Sequence, residues 1–411
     1  MEACARLADF LHEHAWIFDF SNVKVLSQRA AWPIYWSEFV HDTQVHDLKR
    51  ILNGDCDSSP VFVREFVMRR NSILAEVEAT FVEVLSYDEK MAVTPNRLKR
   101  GLSPKKLHEV ERFSAFIKSR ANCEKIVDVG SGAGHLERVL AHRGFTNEQM
   151  ACIESSNAHV ESAAKWTCSE GANIETIVST ISDSVESFKE VENQLSTFQN
   201  GLMVGLHACG DLTNAMIKWF LCSDSFQELA VVSCCFHKMK SFPISASFQS
   251  LATPALKSHH ALRLSCQDKF AIWNEQTIDQ HRFHKLTFGR RAQLEQIAET
   301  LHFDLVKKNR HGIRNIHLKS NQEFIQEAIK VYDLHDIEEE LFQLFDELHS
   351  DDFEWLEVLT GLQAFLQILL EYFVLLDKVM FLKESGEHAQ LVQIFDEKIS
   401  PRCLLLSVVK S

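Results

Sequence analysis

Two short stretches collect side chains able to do chemistry. Residues 205–212 read Gly-Leu-His-Ala-Cys-Gly-Asp-Leu, and residues 232–238 read Val-Ser-Cys-Cys-Phe-His-Lys. His207 or His237 is a candidate general base, because an imidazole changes charge near neutral pH. Asp211 is expected to orient it. Cys209, Cys234 and Cys235 keep three readings open. They are small core hydrophobes, zinc ligands together with the histidines, or part of a polar site for a substrate. No Cys-x-x-Cys pair with zinc-finger spacing occurs, so no metal is expected and the substrate site is preferred.

A third stretch holds glycines rather than reactive groups. Residues 125–134 read Lys-Ile-Val-Asp-Val-Gly-Ser-Gly-Ala-Gly. An apolar run ends in Asp128, then Gly130, Gly132 and Gly134 alternate, with Ser131 between the first two. A buried strand, a glycine turn and a helix start make a cradle for a nucleotide-type cofactor. A dinucleotide fingerprint needs its last glycine at 135, where this chain has His135. The pattern Asp-x-Gly-x-Gly-x-Gly resembles motif I of the class I S-adenosylmethionine methyltransferases. Glu154 ends a second apolar run about 20 residues on, where an acid holds ribose hydroxyls.

These side chains need a scaffold. Apolar strand-like runs recur at 125–129, 149–153, 174–178, 201–206 and 228–234, with helical stretches between. That alternation predicts an α/β fold with a parallel, doubly wound sheet. Ligands then bind at the carboxyl ends of the strands, which is where the fourth and fifth runs carry their His and Cys residues. Residues 1–120 are expected to be a helical region, with helices over 3–16 and 61–85. Ser103-Pro104 caps another. Residues 121–240 form the first part of the sheet domain and 241–350 a mostly helical insertion. Residues 351–411 supply a long helix, 353–383, and two closing strands, 389–395 and 403–409, joined by a turn at Ser400-Pro401-Arg402.

Several of these pieces together resemble the methyltransferase-like protein 25 family, which includes the so-called ribosomal RNA adenine dimethylase domain-containing proteins. They are residues 103–110, the loop 128–134, residues 205–212, Cys234-Cys235 and Ser400-Pro401-Arg402. The resemblance implies a Rossmann-like sheet of seven strands, with the insertion between strands five and six. It implies S-adenosyl-L-methionine as cofactor, held by Asp128, Gly130, Ser131, Gly132, Gly134, Glu154, Asp183 and His207. Asp183 is assigned to the adenine amino group. His207, Cys209, Asp211, Cys234, Cys235 and His237 are the implied catalytic set, with Lys105, Lys106 and His108 toward a substrate. The His-x-Cys-Gly and Cys-Cys-x-His pieces are similar to tRNA 2′-O-methylating enzymes, which implies an RNA acceptor, with protein as the other macromolecular choice. The Asn/Asp-Pro-Pro-Tyr/Phe motif of adenine N6 chemistry is absent. A scaffold that keeps the cofactor fold without catalysis is the alternative.

Net charge is −14, which argues against a broad nucleic-acid surface. Segment 281–320 nonetheless has nine bases against three acids, and 321–360 has thirteen acids against Lys330. Arg97, Lys99, Arg100, Lys105 and Lys106 form a second basic cluster. Residues 359–382 are apolar enough to prompt a membrane reading. Glu371, Asp377 and Lys378 interrupt them, each costing about 2–3 kcal/mol at membrane depth. A buried helix is expected. Eleven cysteines without a secretory pattern suggest reduced thiols in the cytoplasm or nucleus.

Overall fold

Each of the central strands is apolar and β-branched enough to be buried on both faces, as a parallel sheet requires. Lys125–Val129 and Met150–Glu154 are buried at all five positions. The computed structural model describes residues 1–84, 94–120, 123–169, 174–306, 312–347 and 353–410. Its strands are β1 Val82–Val84, β2 Lys125–Val129, β3 Met150–Glu154, β4 Glu175–Val178, β5 Gly201–Cys209, β6 Phe226–Cys234, β7 His388–Gln393 and β8 Leu404–Val409.

They form one sheet in the order β1-β7-β8-β6-β5-β2-β3-β4. All neighbours are parallel except β8, which is antiparallel to both β6 and β7. The order reverses at β2: β3 and β4 lie on one side, β5 and β6 on the other. A reversal of this kind opens a crevice at the carboxyl ends of the strands. β7 and β8 are the closing antiparallel pair, and the helices from Ala246–Leu251 to Glu354–Glu384 come between β6 and β7.

The sheet has eight strands where seven were expected. The extra one, β1, continues from helix Val61–Phe81, so the helical stretch expected over 61–85 ends earlier. Val82-Glu83-Val84 alternates as a strand should, and it pairs with the open edge of β7. Leu85 lies outside the described residues.

The chain divides into two compact units: residues 1–12, 71–269 and 368–411, and residues 13–70 with 270–367. The four consecutive blocks read from the sequence do not coincide with them. The first unit holds the sheet. Helix Pro104–Ser119 starts at Ser103, whose hydroxyl accepts the Lys106 N–H. Helix Leu212–Cys222 follows β5 and packs against β5 and β6.

The charged residues that interrupt the apolar run of Glu354–Glu384 have neighbours of their own. Within the first unit, Glu371 pairs with Lys269 and lies 3.8 Å from Arg402. Asp377 accepts the Ile244 and Ser245 N–H groups at 3.0 and 2.9 Å. Lys378 sits beside the Met239 sulfur at 3.7 Å. Among the described residues no helix is long and apolar enough to cross a membrane. In the second unit, Glu357 is fully buried between His281 and His284, and Trp36 packs edge-on against Phe62 and Phe66.

Candidate active site

The loop after β2 turns through three left-handed glycines, with φ of +82° at Gly130, +61° at Gly132 and +72° at Gly134. Side chains are strained there. A Cβ on Gly132 would meet nothing within 4 Å, so the backbone at this point faces open space. Glu154 ends β3 and turns its carboxylate onto the loop. It accepts the Gly132 N–H at 2.9 Å and the Ser156 N–H at 2.8 Å. Burial pushes its pKa up, but the two N–H donors outweigh that and hold the carboxyl below its ordinary range.

Asp128 lies beneath the loop, 3% exposed. Burial, reinforced by the neighbouring Glu137 carboxyl, pushes it well above the usual carboxylate range. Each of two like charges this close disfavours ionisation of the other. Among the described residues, Asp128 Oδ1 and Glu137 Oε2 have no hydrogen-bond partner. Ser131 donates its N–H to the Ile153 carbonyl at 3.3 Å.

A cleft of about 350 Å³ opens beside the loop, lined among others by Gly130, Ser155, Asp183, Asp211 and Leu212. Asp183 lies in its wall and pairs with Lys218 at 2.5 Å, so a group bound there meets an ion pair rather than a bare carboxylate. Asp211 lies in the same wall. Its carboxylate accepts the Lys240 N–H at 3.0 Å and the Ser241 N–H at 3.1 Å.

His207 therefore has a different partner from the one expected. Its Nε2 lies 2.9 Å from Oε2 of Glu109. Glu109 is 1% exposed and also accepts the Ser400 hydroxyl at 2.7 Å. Lys105 Nζ is 3.9 Å away. Burial pushes the Glu109 pKa up, but the bonds from His207 and Ser400 and the Lys105 charge bring it below the ordinary value. A carboxylate at Nε2 assigns the ring hydrogen to that nitrogen and leaves Nδ1 as an acceptor. Asp211, which was expected to orient the ring, instead pins the turn after β6.

The backbone at His207 is unusual. Leu206 pairs with Val232 and Ala208 with Ser233, leaving His207 in a bulge with φ of +74°. A left-handed non-glycine residue costs roughly 1–3 kcal/mol and persists where its surroundings over-determine it. Bulges beside active sites re-aim a side chain.

The other expected residues separate. Cys209 Sγ lies 2.8 Å from Cys234 and 3.5 Å from Cys235. The hydrogen bond from Cys234 draws the Cys209 thiol down to about 6 and pushes Cys234 up. His237 leaves this group. Its Nδ1 contacts Cys266 at 3.2 Å and its ring lies edge-on to His259. His108 accepts the Asp396 N–H at 3.1 Å and packs on Phe395, so it holds the turn before β8. Lys105 reaches Glu109. The charge of Lys106 acts on Asp128 and on His135. In the basic segment, Lys285 and Lys319 are in ion pairs. Lys307, Lys308 and Arg310 lie outside the described residues.

Glu109 is the participant the sequence reading passed over. The signal was an acid on the buried face of helix Pro104–Ser119, in line with Phe113, Phe116 and Ile117.

The strand order and the glycine loop define a class I methyltransferase fold. Residues 105–241 match the family model of a methyltransferase domain, so the domain is of the type that takes S-adenosyl-L-methionine. The chain is similar to the probable methyltransferase-like protein 25 of Homo sapiens, 23% identical over 284 residues, and of Mus musculus, 22% identical over 295. The match covers 64% of this chain and 45–46% of the relatives, so the chain spans about half the length of the relatives it matches. Among solved structures, a Pyrococcus abyssi tRNA (uracil-54, C5)-methyltransferase aligns at 21% identity. It covers 31% of this chain and 28% of its own, with a TM-score of 0.23. At that score the fold class rests on the strand order itself. The residues present fit the cofactor: open space over Gly132, a Glu154 carboxylate turned onto the loop and the cleft beside them.

Proposed function

We propose that this chain transfers a methyl group from S-adenosyl-L-methionine to an RNA acceptor, with His207 as general base and Glu109 as the residue that positions it. The observation that carries this reading is the His207–Glu109 bond at the carboxyl end of β5, the strand beside the glycine loop. S-adenosyl-L-methionine supplies a methyl group on a positively charged sulfur.

Gly130, Ser131, Gly132 and Gly134 cradle the amino-acid and ribose portions, and Glu154 takes the ribose hydroxyls. That exchanges its bond to Gly132 for bonds to ligand. Asp128 supports the loop from below, with Lys106 nearby. Asp183 and Lys218 border the far end of the cleft, at the base. His207 Nδ1 takes the proton of an acceptor hydroxyl as its oxygen gains the methyl, and Glu109 stabilises the resulting imidazolium. Arg97, Arg100 and Lys105 are exposed on the loop and helix leading to Glu109, where a phosphate backbone can be followed.

The test is transfer of labelled methyl from S-adenosyl-L-methionine into fractionated cellular RNA and protein. Label sensitive to ribonuclease is expected, reduced roughly 10²–10⁴-fold in His207→Ala. Label in protein alone overturns the RNA acceptor. No label in either, from a protein whose melting temperature the cofactor raises, favours the scaffold reading.

A further inference from the structure

Cys209, Cys234 and Cys235 have no task in the proposed transfer, yet their three sulfurs all lie within 4.8 Å of one another. Two features of the backbone bring them together. Cys209 ends β5 and Cys234 ends β6, and the two are Cα partners in the parallel ladder. Cys235 comes next. Successive side chains of an extended strand point to opposite faces, which would send Cys235 away from Cys234. Instead Cys235 is left-handed, with φ of +51°, and its sulfur returns to within 3.5 Å of Cys209. That conformation costs roughly 1–3 kcal/mol in a non-glycine residue.

We infer that these three cysteines form a thiolate site for a zinc ion at the carboxyl edge of β5 and β6. Tetrahedral zinc with bonds of about 2.3 Å keeps its sulfurs about 3.8 Å apart. The observed 2.8 and 3.5 Å both fall short of that spacing, so the site opens by about 1.0 and 0.3 Å at these two pairs to take an ion. Neither a disulfide nor a packed core accounts for the third sulfur. Each uses Cys209 and Cys234 and gives the Cys235 sulfur no part, although the left-handed turn into Phe236–Lys238 carries it back to Cys209. Cys234 is buried and Cys209 is exposed, so the ion has a wall on one side and an entry path on the other. The histidines are engaged elsewhere, His207 with Glu109 and His237 with Cys266. The fourth position is left to water, the arrangement that distinguishes open zinc sites from closed structural ones. Binding releases the thiol protons to solvent. The ion would brace the end of β5 two residues from His207. The cysteines then act as ligands and not upon the acceptor. This inference does not depend on the methyl transfer.

The test uses the full chain, purified under reducing conditions, with Zn²⁺ and Co²⁺ as probes. One equivalent of zinc by elemental analysis is expected, together with thiolate-to-cobalt charge-transfer absorption on Co²⁺ titration. Cys209→Ser, at an exposed position, should lower metal affinity more than ~100-fold, the upper end of what outer-shell changes cost, while circular dichroism stays unchanged. Cys235→Ser should do the same. Cys222→Ser, an exposed cysteine away from the group, should bind as wild type. The inference is overturned if the reduced chain binds neither ion, if Cys209→Ser and Cys235→Ser retain wild-type affinity, or if mass spectrometry of the untreated protein finds a Cys209–Cys234 disulfide in place of metal.

Discussion

Replacing Glu109 by Gln isolates one interaction of the proposed base. The amide can keep its oxygen toward His207 Nε2 and its NH2 toward Ser400 Oγ, so the geometry survives and the charge is lost. At a nitrogen–oxygen distance of 2.9 Å the charge centres sit about 4 Å apart, worth about 4 kcal/mol at the effective dielectric of a protein surface. The His207 side chain is 23% exposed, and solvent screening halves this to about 2 kcal/mol. At 1.36 kcal/mol per decade, turnover falls between about 30- and 1,000-fold. Stability falls by about 1–3 kcal/mol, since a hydrogen-bonded charge is replaced by a neutral group. The assay is labelled methyl transfer into RNA alongside calorimetric binding of S-adenosyl-L-homocysteine, whose affinity should not change. The pH dependence supplies a second readout. The Glu109 carboxyl is held below its unfolded pKa. Its contribution to stability is therefore present above the unfolded value and disappears as pH falls through the folded one. The variant should lack that acid-side loss. Turnover within a few-fold of wild type would refute the assignment of His207 and Glu109 as base and positioning residue. Loss of cofactor affinity would instead place Glu109 in cofactor binding.

Other perturbations act elsewhere. Gly132→Val places a β-branched side chain at φ of +61° and should abolish the rise in melting temperature that S-adenosyl-L-methionine gives the wild type; NAD should give no rise in either protein. Glu154→Gln should weaken cofactor binding by calorimetry, because the amide cannot take both ribose hydroxyls as a carboxylate does. It should also reduce the loss of stability on acidification, since the wild-type carboxyl is held below its ordinary value. Asp377→Ala strips the Ile244 and Ser245 N–H groups of their acceptor and should cost about 2–5 kcal/mol in denaturant unfolding, with no change in methyl transfer per folded molecule.

The strands that flank the cofactor were legible because parallel strands buried on both faces must be continuous apolar runs. β2 and β3 are such runs, and Gly130, Gly132 and Gly134 stand where only glycine takes the turn cheaply. β5 extends to Cys209, past the apolar run read over 201–206, because the bulge at His207 lets a polar sequence continue the ladder. β1 was hidden because Val82-Glu83-Val84 continues a helical periodicity and owes its strand form to an edge nearly 310 residues away, with Val82 opposite Leu391. The candidate base was half legible. His207 stood out as a reactive type in a strand-end motif. Its partner did not, since nothing local ties residue 109 to 207 or 400. Only the sheet brings the three together, and Asp211, the near neighbour, is spent on backbone N–H groups. Likewise the alternation at Cys234-Cys235 predicts two opposite faces, and the left-handed turn at Cys235 puts both thiols on one.

The antiparallel strand β8 has a consequence for how the chain is made. It lies between β6 and β7, so β6 gains its outer neighbour only after residues 404–409 have left the ribosome, some 170 residues later. Until then the edge of β6, with Leu229, Ala230 and Val231 buried in the finished sheet, is an unpaired template of the kind that recruits strands from other molecules. The long excursion also raises the loop-closure cost that must be met before the ladder rewards it. On a chain emerging from the ribosome, β2 to β6 are therefore all available to pair before the strand that covers the β6 edge exists.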